Sequence, residues 1–192
     1  MLEIEKYAYE NSIPIMQKDG IEFLTKFICE NNIKKILEIG TAIGYSAIKM
    51  CLASTDVTVT TIERDKARYD MALENIKKFN LEDRITCIYG DALDIAITGS
   101  YDLIFIDAAK GQYTKFFEKF KYFLAPNGII VTDNLKFHGY VGSTKPIENR
   151  NLRGIVTKIE KYINFLKDNE EFETKFYDVG DGLSVSVKKQ DK

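Results

Sequence analysis

The sequence lacks the features that mark membrane proteins, secreted proteins and proteins that are basic over their whole surface. No apolar run approaches the roughly 20 residues needed to span a bilayer. The opening residues 1–6 are acidic and contain no apolar signal core. The formal net charge is only −2, so any contact with nucleic acid must come from a local patch. We therefore expect a cytoplasmic protein with no membrane contact.

Cysteine and histidine are scarce. Cys29, Cys51 and Cys87 are odd in number, widely spaced and set in apolar segments. This pattern favours reduced, buried thiols over a disulfide framework or a metal site. The one histidine, His138, is expected on the surface rather than as a catalytic base. No Cys/His cluster is available for a soft metal.

The segment Ile36–Ser46 has the pattern of a buried strand that passes through a tight loop into a helix. A short apolar run contains Glu38, a turn follows with Gly40 and Gly44, and apolar residues at helical spacing come next. Such junctions lie at the carboxyl ends of the strands in α/β sheets, where ligands bind. We expect the two glycines to let the backbone approach a ligand where a Cβ would intrude.

Two common phosphate-binding loops do not fit this segment. The dinucleotide fingerprint G-x-G-x-x-G, started at Gly40, requires glycine at positions where the chain has Ala42 and Tyr45. A P-loop requires Gly-Lys-Ser/Thr at its end, which is absent here. The pattern that remains is acid-x-Gly-x-x-x-Gly.

Strand-like and helix-like patterns alternate along the chain. The predicted strands are Ile36–Ile39, Val57–Ile62, Ile85–Tyr89, Tyr101–Ile106, Ile129–Thr132, and a hairpin of Phe172–Val179 and Leu183–Val187. This alternation predicts an α/β fold with a Rossmann-like, mostly parallel sheet, a C-terminal antiparallel hairpin, and helices on both faces.

Residues 1–192 are expected to form a single domain, on which residues 1–34 pack as a helical N-terminal segment. Within that segment, residues 1–19 are predicted to be a linker, because Pro14 favours extended backbone before it. Apolar residues at helical spacing from Ile21 to Ile28 predict a helix. Pro126-Asn127-Gly128 is predicted to be a turn before the fifth strand.

Five successive strand-like runs end in a carboxylate or are followed at once by one. These acids are Glu38, Glu63, Asp91, Asp107 and Asp133. Any one of them could be a helix cap or a turn residue, but parallel strands bring all five to one edge of the sheet. Glu63 lies 19 residues after Gly44, an offset at which an acid can accept both hydroxyls of a ribose. This feature alone does not separate S-adenosylmethionine from NAD.

Asp107, Asp133 and Asn134 offer two carboxylates and an amide carbonyl after neighbouring strands. These hard oxygen donors suit Mg²⁺ or another divalent cation with positions left for water and substrate.

The segments Asp107-Ala108-Ala109-Lys110 and Asp133-Asn134 resemble the lysine and metal motifs of the cation-dependent class I O-methyltransferases, such as the catechol and caffeoyl-CoA O-methyltransferases. The likeness runs nearly end to end and is greatest to the bacterial tRNA 5-hydroxyuridine methyltransferases. It is carried outside these motifs by residues 13–16, 37–46, 149–153 and 180–183.

The resemblance implies S-adenosylmethionine as the methyl donor. The residues implied to bind it are Met16, Glu38, Gly40, Gly44, Tyr45, Ser46, Glu63, Asp91, Ala92 and Asp107. Asp91 and Ala92 match the part that meets the adenine, and Ser46 with the residues near Glu38 the part that meets the methionine. Met16 is expected to close over the donor, with a core-filling role as the alternative.

The resemblance also implies the chemistry and the acceptor. Asp107 and Lys110 are the catalytic candidates, with Lys110 as general base or electrostatic aid; the alternative for Lys110 is a surface lysine. The implied reaction methylates 5-hydroxyuridine at the wobble position of tRNA to 5-methoxyuridine. Small catechol-like acceptors and a non-catalytic RNA-binding protein are the alternatives. A homodimer is also implied.

Residues 135–161 contain six basic and two acidic residues. Lys136, Arg150 and Arg153 are predicted to bind the anticodon loop of tRNA through its phosphates, and Phe137 or Tyr140 to stack on a base. A solvated loop and helix face is the alternative for this region.

Overall fold

A computed structural model describes residues 2–143 and 147–190 and shows a seven-stranded sheet in that part of the chain. The strands are β1 (Lys35–Ile39), β2 (Thr58–Glu63), β3 (Ile85–Tyr89), β4 (Tyr101–Ile106), β5 (Leu124–Thr132), β6 (Phe172–Tyr177) and β7 (Leu183–Lys188). The helices are α1 (Leu2–Glu10), α2 (Lys18–Glu30), α3 (Tyr45–Leu52), α4 (Lys66–Lys78), α5 (Tyr113–Phe120) and α6 (Arg150–Lys167), with 3₁₀ turns at Lys110–Gln112 and Lys121–Phe123.

The strand order is β3-β2-β1-β4-β5-β7-β6. The five strands from β3 to β5 are parallel, and β7 pairs antiparallel with both β5 and β6. The predicted fold class is therefore confirmed, including the C-terminal hairpin. None of the described helices is long and apolar enough to cross a membrane.

Helices cover both faces of the sheet. Each strand contributes side chains to both faces, because successive side chains of a strand point to opposite sides. In β1, Ile36 belongs to the core that contains the apolar residues of α1, α2, α3 and α4. Its neighbour Leu37 belongs to the opposite core, which contains those of α5 and α6. Each strand therefore contributes to two apolar layers, which explains its nearly continuous apolar sequence.

The strand order reverses between β1 and β4, and the paired strands end level with one another at this point. Ile39 at the end of β1 is in register with Ile62 on one side and with Ile106 on the other. Ile106 is in turn in register with Thr132. The residues that follow these strand ends therefore meet at one edge, which is where ligands bind in open α/β sheets.

The prediction of a linker over residues 1–19 is wrong for its first half. Residues 2–10 form α1, which is anchored because Ile4 and Ala8, four residues apart, are 5% and 1% exposed. Residues 13–17, which include Pro14, have no regular secondary structure and connect α1 and the turn after it to α2.

The turn predicted at Pro126-Asn127-Gly128 is also wrong, because β5 already begins at Leu124. Pairing with β4 shifts register between Tyr101 and Leu103, and Asn127 has a positive φ of 64°. The turn-forming residues are thus accommodated as an irregularity inside the strand.

Candidate active site

A cavity of about 460 Å³ opens at the carboxyl ends of β1, β2, β4 and β5. This volume is within the usual range for small-molecule sites. The predicted site residues that line it are Met16, Gly40, Tyr45, Ser46, Glu63, Asp91, Ala92, Asp107, Lys110, Asp133 and Asn134. Glu38, Gly44, Lys136, Arg150 and Arg153 do not line it.

The conformation and packing of the protein's own backbone explain the two glycines of the glycine loop, Gly40 and Gly44. Gly40 has a φ of +102°, and a Cβ there would lie 2.1 Å from the carbonyl oxygen of Asp107. Gly44 has a φ of +83° and immediately precedes α3. These conformations are strained for residues with side chains. The space at Gly40 is therefore taken by the Asp107 carbonyl.

Glu38 lies beneath this loop, fully buried. Ser46 Oγ and Thr61 Oγ1 donate hydrogen bonds to its carboxylate, the second at 2.5 Å. Thr61 Oγ1 is also 2.6 Å from Thr41 Oγ1. Burial raises the pKa of Glu38 to about 7, although the two hydroxyl donors lower it. The structure thus places Glu38 as a support of the loop rather than on the cavity wall.

Glu63 is held in one orientation by backbone donors. The N–H of Ala42 donates to its Oε2 and the N–H of Asp65 to its Oε1, both at 2.8 Å. Asp91 is held similarly, since its Oδ1 accepts from Leu93 N–H at 2.9 Å. Each carboxylate keeps further lone pairs for a ligand. The two acids therefore form a fixed polar wall at the end of the cavity beside β2 and β3.

Asp107, Asp133 and Asn134 meet at the other end of the cavity. Their strands fix them: Asp107 N–H donates to Ile39 O at 3.0 Å and Asp133 N–H to Ile106 O at 3.1 Å. Burial raises the pKa of both carboxyls. The charge of Asp107 raises that of Asp133 further, while Lys110 lowers both.

Asn134 Oδ1 is buried and has no hydrogen-bond partner among the described residues. A buried carbonyl oxygen without a donor is costly unless a ligand pairs with it. Two carboxylates and this oxygen are the donors that a hard divalent cation prefers. The residues therefore fit such a cation, although no cluster of three or more Asp, Glu, His or Cys suited to a metal occurs in the described ranges.

Lys110 stands at the start of a 3₁₀ turn, three residues after Asp107. Its Nζ is 3.6 Å from Asp107 Oδ1, and its side chain is 21% exposed. The ammonium also lies 6.0 Å from the centre of the Tyr113 ring. Lys110 is thus a cavity residue whose charge faces the carboxylates.

The sequence interpretation missed Asp181 as a site residue and His138 as a residue of the cavity. Asp181 is 5% exposed and lines the cavity, although Gly-Asp-Gly in a hairpin indicates an exposed turn. His138 has the exposed ring that was expected, at 64%, but it lines the cavity. Asp181 and His138 are more than 40 residues apart in the sequence, and pairing of the hairpin with β5 brings them together. No local sequence pattern indicates this contact.

The basic residues predicted to bind tRNA lie outside the cavity, and they differ in whether their side chains are already bonded to other groups of the protein. Lys136 pairs with Asp178. Arg153 donates through Nε and Nη2 to Ile147 O at 3.1 and 2.9 Å. Arg150 is exposed at the start of α6. Residue 145 lies outside the described ranges.

The sheet order and a strand-end cavity with a glycine loop, paired acids and a set of oxygen donors define a class I methyltransferase fold. A sequence model of the O-methyltransferase family matches residues 1–189. The chain belongs to this family.

Known proteins resemble the chain over most of its length. A structure from Staphylococcus aureus, named as a candidate caffeoyl-CoA O-methyltransferase, superimposes with a TM-score of 0.93 at 37% identity and covers 97% of this chain and 90% of its own. The Bacillus cereus O-methyltransferase in complex with SAH gives a TM-score of 0.80 at 25% identity, with coverage of 97% and 89%. Tapetum-specific methyltransferase 1 of Arabidopsis thaliana is 30% identical in an alignment that covers 95% of this chain and 81% of the relative.

Proposed function

We propose that the protein transfers the methyl group of S-adenosylmethionine to a hydroxyl that lies next to a second oxygen, with the help of Mg²⁺ or another divalent cation. The observation that carries this proposal is the unpartnered, buried Asn134 Oδ1 beside Asp107 and Asp133, in the same cavity as the fixed Glu63 carboxylate. One end of the cavity suits an adenosine, and the other suits a cation.

The donor site follows from the cavity wall. Glu63 accepts the two ribose hydroxyls, because its carboxylate is already oriented by Ala42 and Asp65. Asp91 and Ala92 face the adenine, and Tyr45 and Ser46 the methionine end. Met16, which is 5% exposed and lines the cavity, closes over the donor. The relative from Bacillus cereus supports this assignment, since SAH is the demethylated product of S-adenosylmethionine.

Asp107, Asp133 and Asn134 hold the cation, which supplies Lewis-acid chemistry that lowers the pKa of the acceptor hydroxyl. The chain's own residues orient the acceptor and exclude water around it. Lys110 Nζ lies 3.6 Å from Asp107 Oδ1. As the neutral amine it takes the proton of the acceptor hydroxyl, and as the ammonium it stabilises the oxyanion that loss of this proton leaves.

For the acceptor we propose 5-hydroxyuridine at the wobble position of tRNA, converted to 5-methoxyuridine. Arg150, Lys158 and Lys161 support this choice. They are spaced along one side of α6, are exposed, and have no acidic partner within the described residues. The side chain of Lys158 lies against Gly111, the residue that follows Lys110. A Cβ added at Gly111 would lie 3.1 Å from Lys158 Nζ. This stripe can bind phosphates beside the cavity mouth.

A small catechol-like molecule is the second candidate acceptor, because a structural neighbour carries the name of a candidate caffeoyl-CoA O-methyltransferase and a sequence relative that of a catechol O-methyltransferase. Both acceptors present two adjacent oxygens. A homodimer and a cytoplasmic location remain predictions.

The test is an incubation of the protein with methyl-labelled donor, Mg²⁺, tRNA that carries 5-hydroxyuridine, and catechol in a parallel reaction. We expect label in the tRNA. Label that enters only the catechol would rule out the tRNA assignment while leaving the O-methyltransferase chemistry intact.

The cation is tested by chelation and by Asp133→Ala. We expect each to lower turnover by at least about 100-fold, which corresponds to about 3 kcal/mol of transition-state stabilisation. The matched control is Asp94→Ala, at an exposed acid outside the cavity. Full activity of the Asp133 variant in the presence of chelator would remove the cation from the reaction.

A further inference from the structure

Asp181 is the buried acid of the cavity that the proposed chemistry leaves without a role. It is 5% exposed, and the hairpin that carries it is tied to the residues after β5: Leu135 N–H donates to Gly182 O at 2.9 Å and Lys136 N–H to Asp181 O at 2.7 Å. These bonds hold Asp181 opposite the segment that carries Asn134.

The two oxygens of the Asp181 carboxylate differ. Oδ1 accepts the backbone N–H of His138 at 2.6 Å. Oδ2 is buried and makes no hydrogen bond within the described part of the chain. Among the described residues, the nearest basic atom is His138 Nδ1 at 3.5 Å, on a ring that is 64% exposed. A carboxylate oxygen in a cavity without a donor is costly and indicates a ligand that brings one.

Asp181 lies near Asp107 and Asp133 without completing a metal-binding group of three acids with them within the described residues. It is close enough for its charge to add to the effect of burial, which is the main cause that raises the pKa of Asp107 and Asp133. The three acids nevertheless do not form a group that could hold a metal in the described ranges. Its free oxygen therefore borders the oxygen-donor set without belonging to it.

We propose that Asp181 determines acceptor specificity by accepting a hydrogen bond from the imide N3–H of a uracil ring. This inference rests on the proposed function. In 5-hydroxyuracil the two adjacent oxygens are O5 and O4, and N3–H is the next ring group beyond O4. A catechol has two adjacent oxygens but no N–H donor there. An acceptor beside the oxygen-donor set therefore distinguishes the two ring types.

The isosteric variant Asp181→Asn tests this directly. His138 N–H keeps the amide carbonyl oxygen in the Oδ1 position, so the amide NH₂ takes the position of Oδ2. A donor then faces N3–H. The matched control is Ser184→Ala, in the same hairpin, because Ser184 is also buried with an unpartnered oxygen but does not line the cavity.

The acceptors are an anticodon stem-loop with 5-hydroxyuridine, the same stem-loop with N3-methyl-5-hydroxyuridine, and catechol. The wild type is expected to favour the N3–H stem-loop over the N3-methyl one by about 10- to 100-fold in kcat/KM, the usual effect of a hydrogen bond to a charged group. Dissociation constants of the stem-loops, measured without methyl donor, are expected to show the same preference. In Asp181→Asn the preference falls to near one, and turnover of the N3–H stem-loop falls by more than turnover of catechol, while Ser184→Ala keeps wild-type values.

Three results would overturn the inference alone: equal use of both stem-loops by the wild type, a preference that persists in Asp181→Asn and is therefore steric, or an equal loss of uridine and catechol turnover. The wild-type comparison needs no folded variant. Methylation of catechol but of neither stem-loop would overturn the proposed acceptor as well.

Discussion

Glu38 shows how burial and hydrogen bonding oppose one another at a single residue. Its carboxylate is fully buried, yet it accepts hydrogen bonds from Ser46 and Thr61 and thereby links β1, β2 and α3 under the glycine loop. Burial disfavours the charged form more than the hydroxyls favour it, which is why its pKa is raised to about 7.

This raised pKa predicts a pH-dependent contribution to stability. The folded-state pKa of about 7 exceeds the ordinary value of 4.5, so the folded protein binds more protons between these values. The free energy of unfolding then falls as the pH rises from about 4.5 to 7, by up to about 3 kcal/mol. Glu38→Gln removes this dependence. In urea unfolding, we expect its stability relative to the wild type to rise by about that amount between pH 5 and pH 8.

Subtracting the unfolding free energy of the wild type from that of Glu38→Gln at each pH cancels the contributions of the other buried acids. Glu173→Gln, at an exposed position on β6, is the control and should show no change between the two pH values. A constant difference for Glu38→Gln would mean that Glu38 is already charged in the folded protein at pH 5.

Single residues of the site were predictable where a strand end marks them. Glu63, Asp107, Asp133 and Asn134 follow strands, and the structure gathers them in the cavity. Asp181 was not predicted as a site residue, because its role depends on the pairing of β7 with β5, which brings a turn back over the sheet edge. No periodic pattern or spacing in the sequence encodes that return.

At the scale of elements, α1 is coupled to the active-site cavity through two connections. Tyr45, which lines the cavity at the start of α3, donates from its hydroxyl to Glu5 Oε1 at 2.9 Å. Residues 13–17 then lead from α1 to α2, and residues 14–17 line the cavity.

Ile4→Ala should loosen this coupling. Ile4 is 5% exposed in the core beneath α1, and the loss of such a side chain typically costs about 2–5 kcal/mol. We expect faster amide hydrogen exchange over residues 2–17 and roughly tenfold weaker binding of S-adenosylmethionine, since about 1.4 kcal/mol of the loss would appear in binding. Calorimetry measures the affinity. Tyr9→Ala, at a residue that is 88% exposed on the same helix, should change neither quantity.

Faster exchange with unchanged affinity would show that residues 14–17 hold their place at the cavity without α1. The helix itself was missed in the sequence because residues 3–10 bury only Ile4 and Ala8, too few for a periodic signal. The bounds of β3 and β4, by contrast, agree with the prediction to the residue. The difference is that these strands are apolar runs bounded by turn residues, while Pro126-Asn127-Gly128 carries turn chemistry inside a strand.

At the scale of the whole molecule, the net negative charge of the protein opposes the binding of tRNA, the proposed partner, which is also negatively charged. A chain with a formal charge of −2 repels a polyanion at long range unless its cations are concentrated where the polyanion binds. The structure reduces the set of basic residues that are free to bind phosphate. Lys136 is paired with Asp178, and Arg153 donates to the Ile147 carbonyl. Among the described residues of the region, this leaves the α6 stripe of Arg150, Lys158 and Lys161.

The stripe makes a quantitative prediction for tRNA binding. If each of its three cations contacts one phosphate, the triple alanine variant should reduce the slope of log K against log salt concentration by about 2–3, since each contact contributes about 0.7–0.9. Fluorescence anisotropy with labelled tRNA over a salt series measures this slope. A triple variant of Lys6, Lys26 and Lys77, on α1, α2 and α4, removes the same charge elsewhere. Equal slopes for the two variants would show that the whole surface, rather than α6, sets the electrostatic part of binding.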